Sequence, residues 1–440
     1  MKKLIPVLQS AGKNFFRKIY ITIHLYRENG LANHAAAGAY GFLLSMAPML
    51  LLLAFFIFYI FRPSPESITV LIGTIPFLNN IFDESWLFSD IFILTKPGIP
   101  GIISAVTIIW SGRILALSIQ RGLRIAFPAR RRRSPVKDTL VSLAIEASVI
   151  ILVFIAIISS RTAVRLYDFF NFLPDISIIK FFTSHFGVHI SSITLLGIAS
   201  YFVYIFVPVK PPLKLSAFQS ALLCSTAYFC TAFILGFIIN RARISFLYGA
   251  FGNLIIILIN VYFFFFFFFF GAQYAFVNDH YEALLFSRLR ILKKSLEKDI
   301  PQGLSGKFNF TDFLYRLFHP SGNRLNKYFK NFKKGEIIFL HKNSKSLSGD
   351  VYYLLDGEAE ITISSVHGGD KYSNILKPDA FFGGMGYHVS EHEIAVVMAA
   401  SDASIIIIPP SLFKAIIKYD SYLDRTLIKD LAGRHKVPFK

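Results

Sequence analysis

The stretch AFGNLIIILINVYFFFFFFFFGAQYAFV, residues 250–277, decides the fold class of this chain. It carries no charged residue, and eight consecutive phenylalanines fill Phe263–Phe270. A helix crosses the hydrocarbon core of a bilayer with about 20 apolar residues. The stretch therefore predicts a membrane-spanning helix. Because phenylalanine occupies every side of that helix, we expect lipid to contact at least part of it.

The composition of the whole chain also indicates a membrane protein. Of its 440 residues, 54% are hydrophobic and only 17% are charged, whereas soluble domains carry about 25% charged residues. This excludes a disordered chain, a collagen-like chain and a disulfide-stapled secreted module. Cys224 and Cys230 are six residues apart in an apolar run, so a helix places them on different faces. We interpret them as packing residues and not as a redox or metal pair.

Six stretches are long and apolar enough to span a bilayer. They are Asn33–Phe61, Gly98–Ile119, Thr139–Ser159, Ile190–Val209, Leu215–Asn240 and Ala250–Val277. The predicted fold class is an α-helical polytopic membrane bundle of six spans, joined to a C-terminal β-roll flanked by helices.

The net charge of +19 belongs to the apolar part of the chain. From Asn331 onward there are 13 basic and 13 acidic residues, so the first 330 residues hold the whole excess. Basic residues concentrate before the first span and in every second loop, which predicts that both termini are cytoplasmic. The expected partner of this charge is the anionic inner leaflet and not nucleic acid. The basic N-terminal segment is expected to lie on that leaflet.

The character of the sequence changes after the last span. Glu282–Lys298 predicts an amphipathic helix, Pro301–Gly306 a break, and the short β-rich runs from Phe332 an all-β roll. Ser411–Gly433 returns to helical periodicity. The predicted domains are residues 1–280 for the membrane part, 281–319 for a basic helical connector and 320–440 for the roll.

Three blocks of the membrane part resemble the YihY/BrkB family of bacterial inner-membrane proteins. They are AAAGAYGFLLSMAPMLLLL, IIWSGRILALSIQRGLRIAF and LYGAFGNLIIILINVY with the following FFGAQYAFV. The residues that carry the pattern are Tyr40, Ser45, Pro48, Trp110, Tyr248, Gly249, Gly252 and Gly271. Gln273 stands where the family usually has Glu. The resemblance implies six helices and favours transport or export, since the sequence shows neither catalytic residues nor metal-ligand spacing for an enzyme such as a ribonuclease.

Polar residues inside the spans are the candidate functional site of the membrane part. Arg113 and Glu146 lie at similar depths in consecutive antiparallel spans, so an ion pair between them is geometrically feasible. Asn253 and Asn260 are seven residues apart and share a helix face. The alternative is structural: an Arg that extends to the interface, and amides that bond helices together.

The C-terminal part resembles the cyclic-nucleotide-binding domain of the catabolite-activator type. The matching blocks are FKKGEIIFLHK, VYYLLDGEAEI, DAFFGGMGY and IAVVMAASDASIIIIPPSLFKAII, with Gly335, Gly357 and Gly383 at the tight turns. In that family a Glu after Phe-Gly binds the ribose, and an Arg two residues before an Ala-x-Val-x-Ala strand binds the phosphate. Here Gly384 follows Phe382 and Gly383, and Glu393 precedes Ala395. The departures predict a cassette that does not bind cyclic nucleotides in the usual way, and no cofactor is expected.

Two function hypotheses remain open. The first is a transport-related membrane protein with a cytoplasmic regulatory domain, coupled through the helix at Glu282–Lys298. The second is a non-transporting scaffold whose β-roll recruits a cytoplasmic protein partner or a small ligand. A homo-oligomer through the terminal helix fits both. The neutral roll has no basic face for DNA, so a nucleic-acid partner is not expected.

Overall fold

The computed structural model describes residues 4–45, 99–129, 134, 136–145, 185–242, 244–299, 310–341, 349–365, 372–383 and 393–419. The chain forms two compact units, one of Thr22–Asp279 and one that combines Met1–Ile21 with His280–Lys440. The domain boundaries given above stay predictions. Residues 1–21 thus belong to the same unit as the C-terminal part of the chain.

The unit of Thr22–Asp279 is helical. Its helices are α2 Ile99–Ala126, α3 His185–Phe206, α4 Lys214–Ala242 and α5 Ile244–Asp279, with further helix at residues 31–45 and 136–145 and the end of α1 Leu4–Glu28. Within the described ranges, Lys214–Ile238 and Leu254–Asp279 are long and apolar enough to cross a membrane, and Ile193–Phe206 is a shorter apolar segment. Residues 46–98 and 146–184, with most of the predicted first and third spans, lie outside the described residues.

The phenylalanine run in α5 has a packing face. Phe265, Phe268 and Phe269 are buried, at the i, i+3, i+4 spacing that places side chains on one side of a helix, whereas the other five are half-buried. Glycines opposite make room for this face. A Cβ on Gly38 would lie 2.8 Å from the ring of Phe265, and one on Gly122 would overlap the ring of Phe269.

Helices α3, α4 and α5 meet at Gly271. A Cβ added there would lie 2.6 Å from Oη of Tyr204, 3.0 Å from the carbonyl oxygen of Ser220 and 3.1 Å from Cβ of Cys224. Tyr204 is fully buried and donates a hydrogen bond of 2.6 Å to the carbonyl oxygen of Phe268. The family-pattern glycine is therefore the point of closest approach of three helices.

The last residues of α5 also form hydrogen bonds with the start of α4. Asp279 accepts a hydrogen bond of 2.8 Å from the backbone N–H of Leu213, the residue before α4. Asn278 donates to Oγ of Ser216 over 2.8 Å and to Oε1 of Gln219 over 3.1 Å. A carboxylate at a helix N-terminus is favourable because it satisfies a free N–H and the helix dipole.

The described strands of the other unit form two four-stranded antiparallel sheets, as the roll prediction requires. Their orders are β1-β8-β3-β6 and β2-β7-β4-β5. The strands are β1 Phe329–Phe332, β2 Ile337–His341, β3 Val351–Asp356, β4 Ala359–Ser365, β5 Tyr372–Leu376, β6 Phe381–Gly383, β7 Glu393–Ala399 and β8 Ala403–Ile408.

The core of the roll is formed by strands of both sheets. Leu354, Ile361, Val397 and Ile405 are among its most deeply buried side chains. The turn glycines predicted from the sequence have positive φ: 89° at Gly335, 85° at Gly357 and 92° at Gly383. At Gly357 a Cβ would also collide with the carbonyl oxygen of Asp402, so only glycine fits that turn.

Helices complete this unit. They are α6 Tyr281–Asp299, α7 Phe310–Phe318, α8 Pro410–Tyr419 and the 3₁₀ helices Pro320–Gly322 and Arg324–Tyr328. The prediction of a helix at Glu282–Lys298 is confirmed, but α6 is far more buried than an amphipathic connector. Leu285, Phe286 and Leu289 are buried almost completely, and so are the charged Arg290 and Lys293.

Candidate regulatory interface on the β-roll

An aromatic side chain, Phe286, lies on the face of α6 that packs on the roll. The ring of Phe286 meets Tyr353 of β3 edge-on with centroids 5.0 Å apart, and Phe381 of β6 at 6.3 Å. Tyr353 and Phe381 lie 4.9 Å apart, and Phe413 of α8 adds a contact with Phe381 at 6.3 Å. Full burial of one such side chain contributes about 1.5–3 kcal/mol, so this cluster holds α6 on the roll.

Asp379, in the turn between β5 and β6, is the ionic centre of the interface. Its Oδ1 accepts hydrogen bonds from Nε of Arg290 over 2.8 Å and from Oη of Tyr353 over 2.9 Å. Nζ of Lys294 lies 2.8 Å from Oδ2. Arg290 is 3% exposed, and its guanidinium also lies 5.6 Å from the centroid of the Phe381 ring. Both bases belong to α6, so one carboxylate binds two successive turns of that helix.

The backbone and the electrostatics of Asp379 both depend on these contacts. Its φ is 73°, a left-handed conformation that residues other than glycine seldom adopt, although Asp and Asn tolerate it best. Burial of the Asp379 carboxyl raises its pKa, but the hydrogen bonds from Arg290 and Lys294 outweigh burial and lower the pKa below its ordinary value. For Tyr353, burial and then the charge of Asp379 raise the pKa far above its usual range.

Lys293 makes a second polar contact between α6 and the roll. Its Nζ donates to the carbonyl oxygen of Leu355 and lies 3.2 Å from Oδ1 of Asp356, at the end of β3. Lys293 is almost completely buried, so its ammonium group has to be neutralised within the fold. The interface thus uses Arg290, Lys293 and Lys294 of the basic connector. In the sequence, the charges of these residues indicate only the orientation of the chain in the membrane.

The predicted nucleotide cassette is described in part. Phe382 stacks on Tyr352 with centroids 5.3 Å apart, and a Cβ on Gly383 would lie 2.9 Å from the carbonyl oxygen of Asp350. Ala395, Val397 and Ala399 are buried and face the core from β7. Gly384 lies outside the described residues, as does the side chain of Glu393, and the ligand chemistry of the cassette stays a prediction.

The polar residues predicted in the spans are not brought together among the described residues. Arg113 is half-buried, and its Nη2 lies 3.4 Å from Oγ1 of Thr139, whereas Glu146 is outside the described residues. Asn260 donates to the carbonyl oxygen of Ile256 in its own helix over 2.9 Å, and the side chain of Asn253 is not described. The Arg113–Glu146 pair therefore stays a prediction. The described residues contain no group of three His, Cys, Asp or Glu side chains that could hold a metal.

The family-pattern residues have different surroundings. Ser45 is buried and donates to the carbonyl oxygen of Phe42 over 3.1 Å, Tyr40 is 60% exposed, and Gly252 is buried. Trp110, Tyr248 and Gly249 lie in helices but their side chains are not described, and Pro48 is outside the described residues. Gln273 is fully buried, and its Oε1 accepts a hydrogen bond of 3.0 Å from Asn29.

Sequence reasoning missed the Asp379 site altogether. One local signal was present: Pro378 and Asp379 stand between two β-rich runs, where a turn is expected. A second was the i, i+4 spacing of Arg290 and Lys294, which places two bases on one side of α6. Neither signal identifies the partner, because Arg290 and Asp379 are 89 residues apart.

Comparisons with known proteins agree with both units. The family model described as Virulence factor BrkB matches residues 22–288, and the model described as Cyclic nucleotide-binding domain matches residues 329–420. No curated protein matches the chain. Among solved structures, a transcriptional regulator from Thermotoga maritima is 25% identical over 25% of this chain and 83% of its own, with a TM-score of 0.21. The catabolite activator protein of Thermus thermophilus is 22% identical over 26% of this chain and 52% of its own, with a TM-score of 0.21.

Among the described residues, one unit contains two apolar helices long enough to cross a membrane, and the other is an antiparallel roll that matches the cyclic-nucleotide-binding domain. The BrkB model covers more than half of the chain. The chain therefore belongs to the Virulence factor BrkB family.

Proposed function

We propose that this protein is a six-span transporter or exporter of the bacterial inner membrane, with both termini cytoplasmic, whose β-roll regulates it through α6. The proposal assigns the chain no enzymatic activity. The observation that carries it is the position of α6. This helix begins at Tyr281, two residues after the last apolar helix ends at Asp279, and it is bonded to the roll by Arg290, Lys293 and Lys294.

The coupling has a physical basis in the buried charges of α6. If the roll moved away from α6, Arg290 and Lys293 would lose the carboxylates that neutralise them. Separating a buried pair costs about 3–5 kcal/mol when one charge stays buried, so the docked arrangement is strongly preferred. A ligand or protein that binds the roll changes the activity of the spans only if it binds the docked and undocked arrangements with different affinity.

The proposal also holds that this roll does not bind cyclic nucleotides in the usual way. Glu393 stands where the family pattern places the Arg that binds the phosphate, and Gly384 where it places the Glu that binds the ribose. A carboxylate beside a cyclic phosphate repels it. The regulator is then a protein partner, or a neutral or cationic small ligand.

Transport is tested with the full chain in proteoliposomes. The vesicles are loaded with a small-molecule extract of the host cell, and mass spectrometry measures which compounds leave them. We expect at least one compound to leave faster than from vesicles that contain heat-inactivated protein. Equal release of every compound from both preparations contradicts a transport function, and a soluble protein that co-purifies through residues 320–440 then favours the scaffold.

Regulation is tested separately with Asp379→Asn in the same vesicles. This variant removes the charge that binds Arg290 and Lys294, so we expect the release rate to change while the identity of the released compound does not. The matched control is Asp312→Asn, which breaks an exposed ion pair with Arg316 on α7. Equal release rates for Asp379→Asn and the wild type contradict coupling through α6 but leave transport standing.

A further inference from the structure

Two segments of the chain that contain no carboxylate meet in the unit of the β-roll. Residues 1–21 hold five Lys and Arg with no Asp or Glu, and residues 313–335 hold six Lys and Arg with no Asp or Glu. Arg17 of α1 joins them, because it is buried and donates from Nε to the carbonyl oxygen of Leu317 over 2.8 Å. The ring of Tyr20 meets Phe318 edge-on with centroids 5.6 Å apart.

The cations of both segments converge on one aromatic ring. Nζ of Lys18 lies 5.2 Å from the centroid of Tyr281, and the guanidinium of Arg324 lies 5.8 Å from the same centroid. Arg288 extends the cluster, since its Nη2 donates to Oη of Tyr20 over 3.2 Å. Burial and then the nearby charge of Arg324 lower the pKa of Lys18. Two like charges held over one ring repel each other, and an anion placed between them would remove that repulsion.

The neighbouring carboxylate is bonded to other groups. Glu282, next to Tyr281, accepts a hydrogen bond of 2.8 Å from Nζ of Lys327 and one of 3.2 Å from Oη of Tyr328. Arg324 is exposed and Lys18 is half-buried, so both cations can be reached from solvent or from a lipid headgroup. A guanidinium and an ammonium group each bind a phosphate through charge-assisted hydrogen bonds, so the chemistry of this pair suits a phosphate group.

Two features favour a phospholipid as the source of this phosphate. Tyr281 follows Asp279, the end of the last described apolar helix, by two residues in the sequence. Phe15 and Phe16 of α1, next to Arg17 and Lys18, are 51% and 49% exposed. Exposed Phe side chains beside basic residues on a helix are typical of segments that lie at a membrane surface.

We infer that Lys18, Arg324 and the ring of Tyr281 form a binding site for the phosphate of an anionic phospholipid headgroup. The site does not depend on the proposed transport function. It lies in the same unit as the β-roll, and its occupant would fix residues 1–21 to the start of α6.

The test uses native mass spectrometry of the full chain in a neutral detergent, titrated with phosphatidylglycerol or phosphatidylcholine. We expect the wild type to bind phosphatidylglycerol about tenfold or more tightly than phosphatidylcholine, which corresponds to about 1.4 kcal/mol. The double variant Lys18→Gln/Arg324→Gln should lose this preference. Lys18→Arg/Arg324→Lys keeps both charges and should retain it, which separates a binding defect from misfolding.

The matched control removes two exposed charges elsewhere on the roll, Lys330→Gln and Lys414→Gln, and should leave the preference unchanged. Equal lipid preference in the wild type and in Lys18→Gln/Arg324→Gln overturns the site. An equal loss in the control pair also overturns it, because net charge alone would then explain the binding. If inorganic phosphate at constant ionic strength occupies the site and phosphatidylglycerol does not, the lipid assignment is wrong.

Discussion

Arg290 and Asp379 form a largely buried ion pair that joins the helix after the last apolar segment to a turn of the β-roll, with Nε 2.8 Å from Oδ1. Arg290 is 3% exposed, so its guanidinium depends on this carboxylate for neutralisation. Asp379 also accepts a hydrogen bond from Tyr353 and pairs with Lys294, and it holds a left-handed backbone conformation.

Asp379→Asn should release α6 from the roll more often. Asn keeps the tolerance for positive φ but not the charge, and a hydrogen bond to a charged group contributes about 1.5–3 kcal/mol. We therefore expect amide hydrogen exchange in residues 281–299 to become roughly tenfold faster or more. The comparison is Asp312→Asn on α7, whose ion pair with Arg316 is exposed and should matter little. Unchanged exchange in residues 281–299 would show that the aromatic contacts and Lys293 hold the helix without the charge of Asp379.

The same pair predicts a pH dependence. The pKa of Asp379 is lower in the folded protein than its ordinary value, because Arg290 and Lys294 outweigh the effect of burial. Its contribution is therefore complete above the unfolded pKa, about 3.9, and is lost as the pH falls through the folded pKa. The difference in Tm between the wild type and Asp379→Asn should be constant from about pH 5 to 7 and should shrink below about pH 4. A difference that grows on acidification contradicts this assignment.

Gly271→Ala should destabilise the helical unit. The new Cβ would lie 2.6 Å from Oη of Tyr204 and 3.0 Å from the carbonyl oxygen of Ser220, so the helices have to separate. Overpacking of this kind costs about 1–3 kcal/mol. Gly236→Ala in α4 is the matched control, because its Cβ would meet nothing within 4 Å. The Tm of both variants in nanodiscs measures the difference.

Tyr204→Phe provides a second check on the same contact. It removes the atom closest to the new methyl group together with the hydrogen bond to Phe268. The double variant Tyr204→Phe/Gly271→Ala should therefore lose less stability than the two single losses added together. Strict additivity would mean that Oη of Tyr204 is not what obstructs the methyl group.

Cyclic AMP should not bind the full chain at micromolar concentration. Two charged contacts of the family pattern are missing, and each is worth about 1.5–3 kcal/mol. Equilibrium dialysis with labelled cyclic AMP measures this directly, and saturable micromolar binding to the wild type refutes the prediction. Gly384→Glu/Glu393→Arg should bring measurable binding, since it restores the two side chains of the pattern.

The roll could be predicted from the sequence because its pattern is local. Alternation places Ala395, Val397 and Ala399 on one face of β7, and all three are buried. The glycine turns at Gly357 and Gly383 were expected from the resemblance to the cyclic-nucleotide-binding domain, and each has a positive φ. Short β-rich runs separated by turn residues were sufficient to predict the all-β roll itself.

The interface could not be predicted, because its bonds join distant parts of the chain. The charges of Arg290 and Lys293 suit the cytoplasmic end of a span as well as a buried ion pair. Only the fold shows that Asp379 and Asp356 neutralise them. Likewise, the tight approach at Gly271 depends on Tyr204 of α3, which no local periodicity connects to α5.

The basic side chains of α6 are synthesised before the carboxylates with which they pair. Asp379 is translated 89 residues after Arg290, a delay of roughly 4–18 s at the usual rates of chain growth. Until Asp356 and Asp379 have been translated, Arg290, Lys293 and Lys294 lack the carboxylates with which they pair in the folded protein. The ionic contacts between α6 and the roll can therefore form only after translation has delivered both carboxylates.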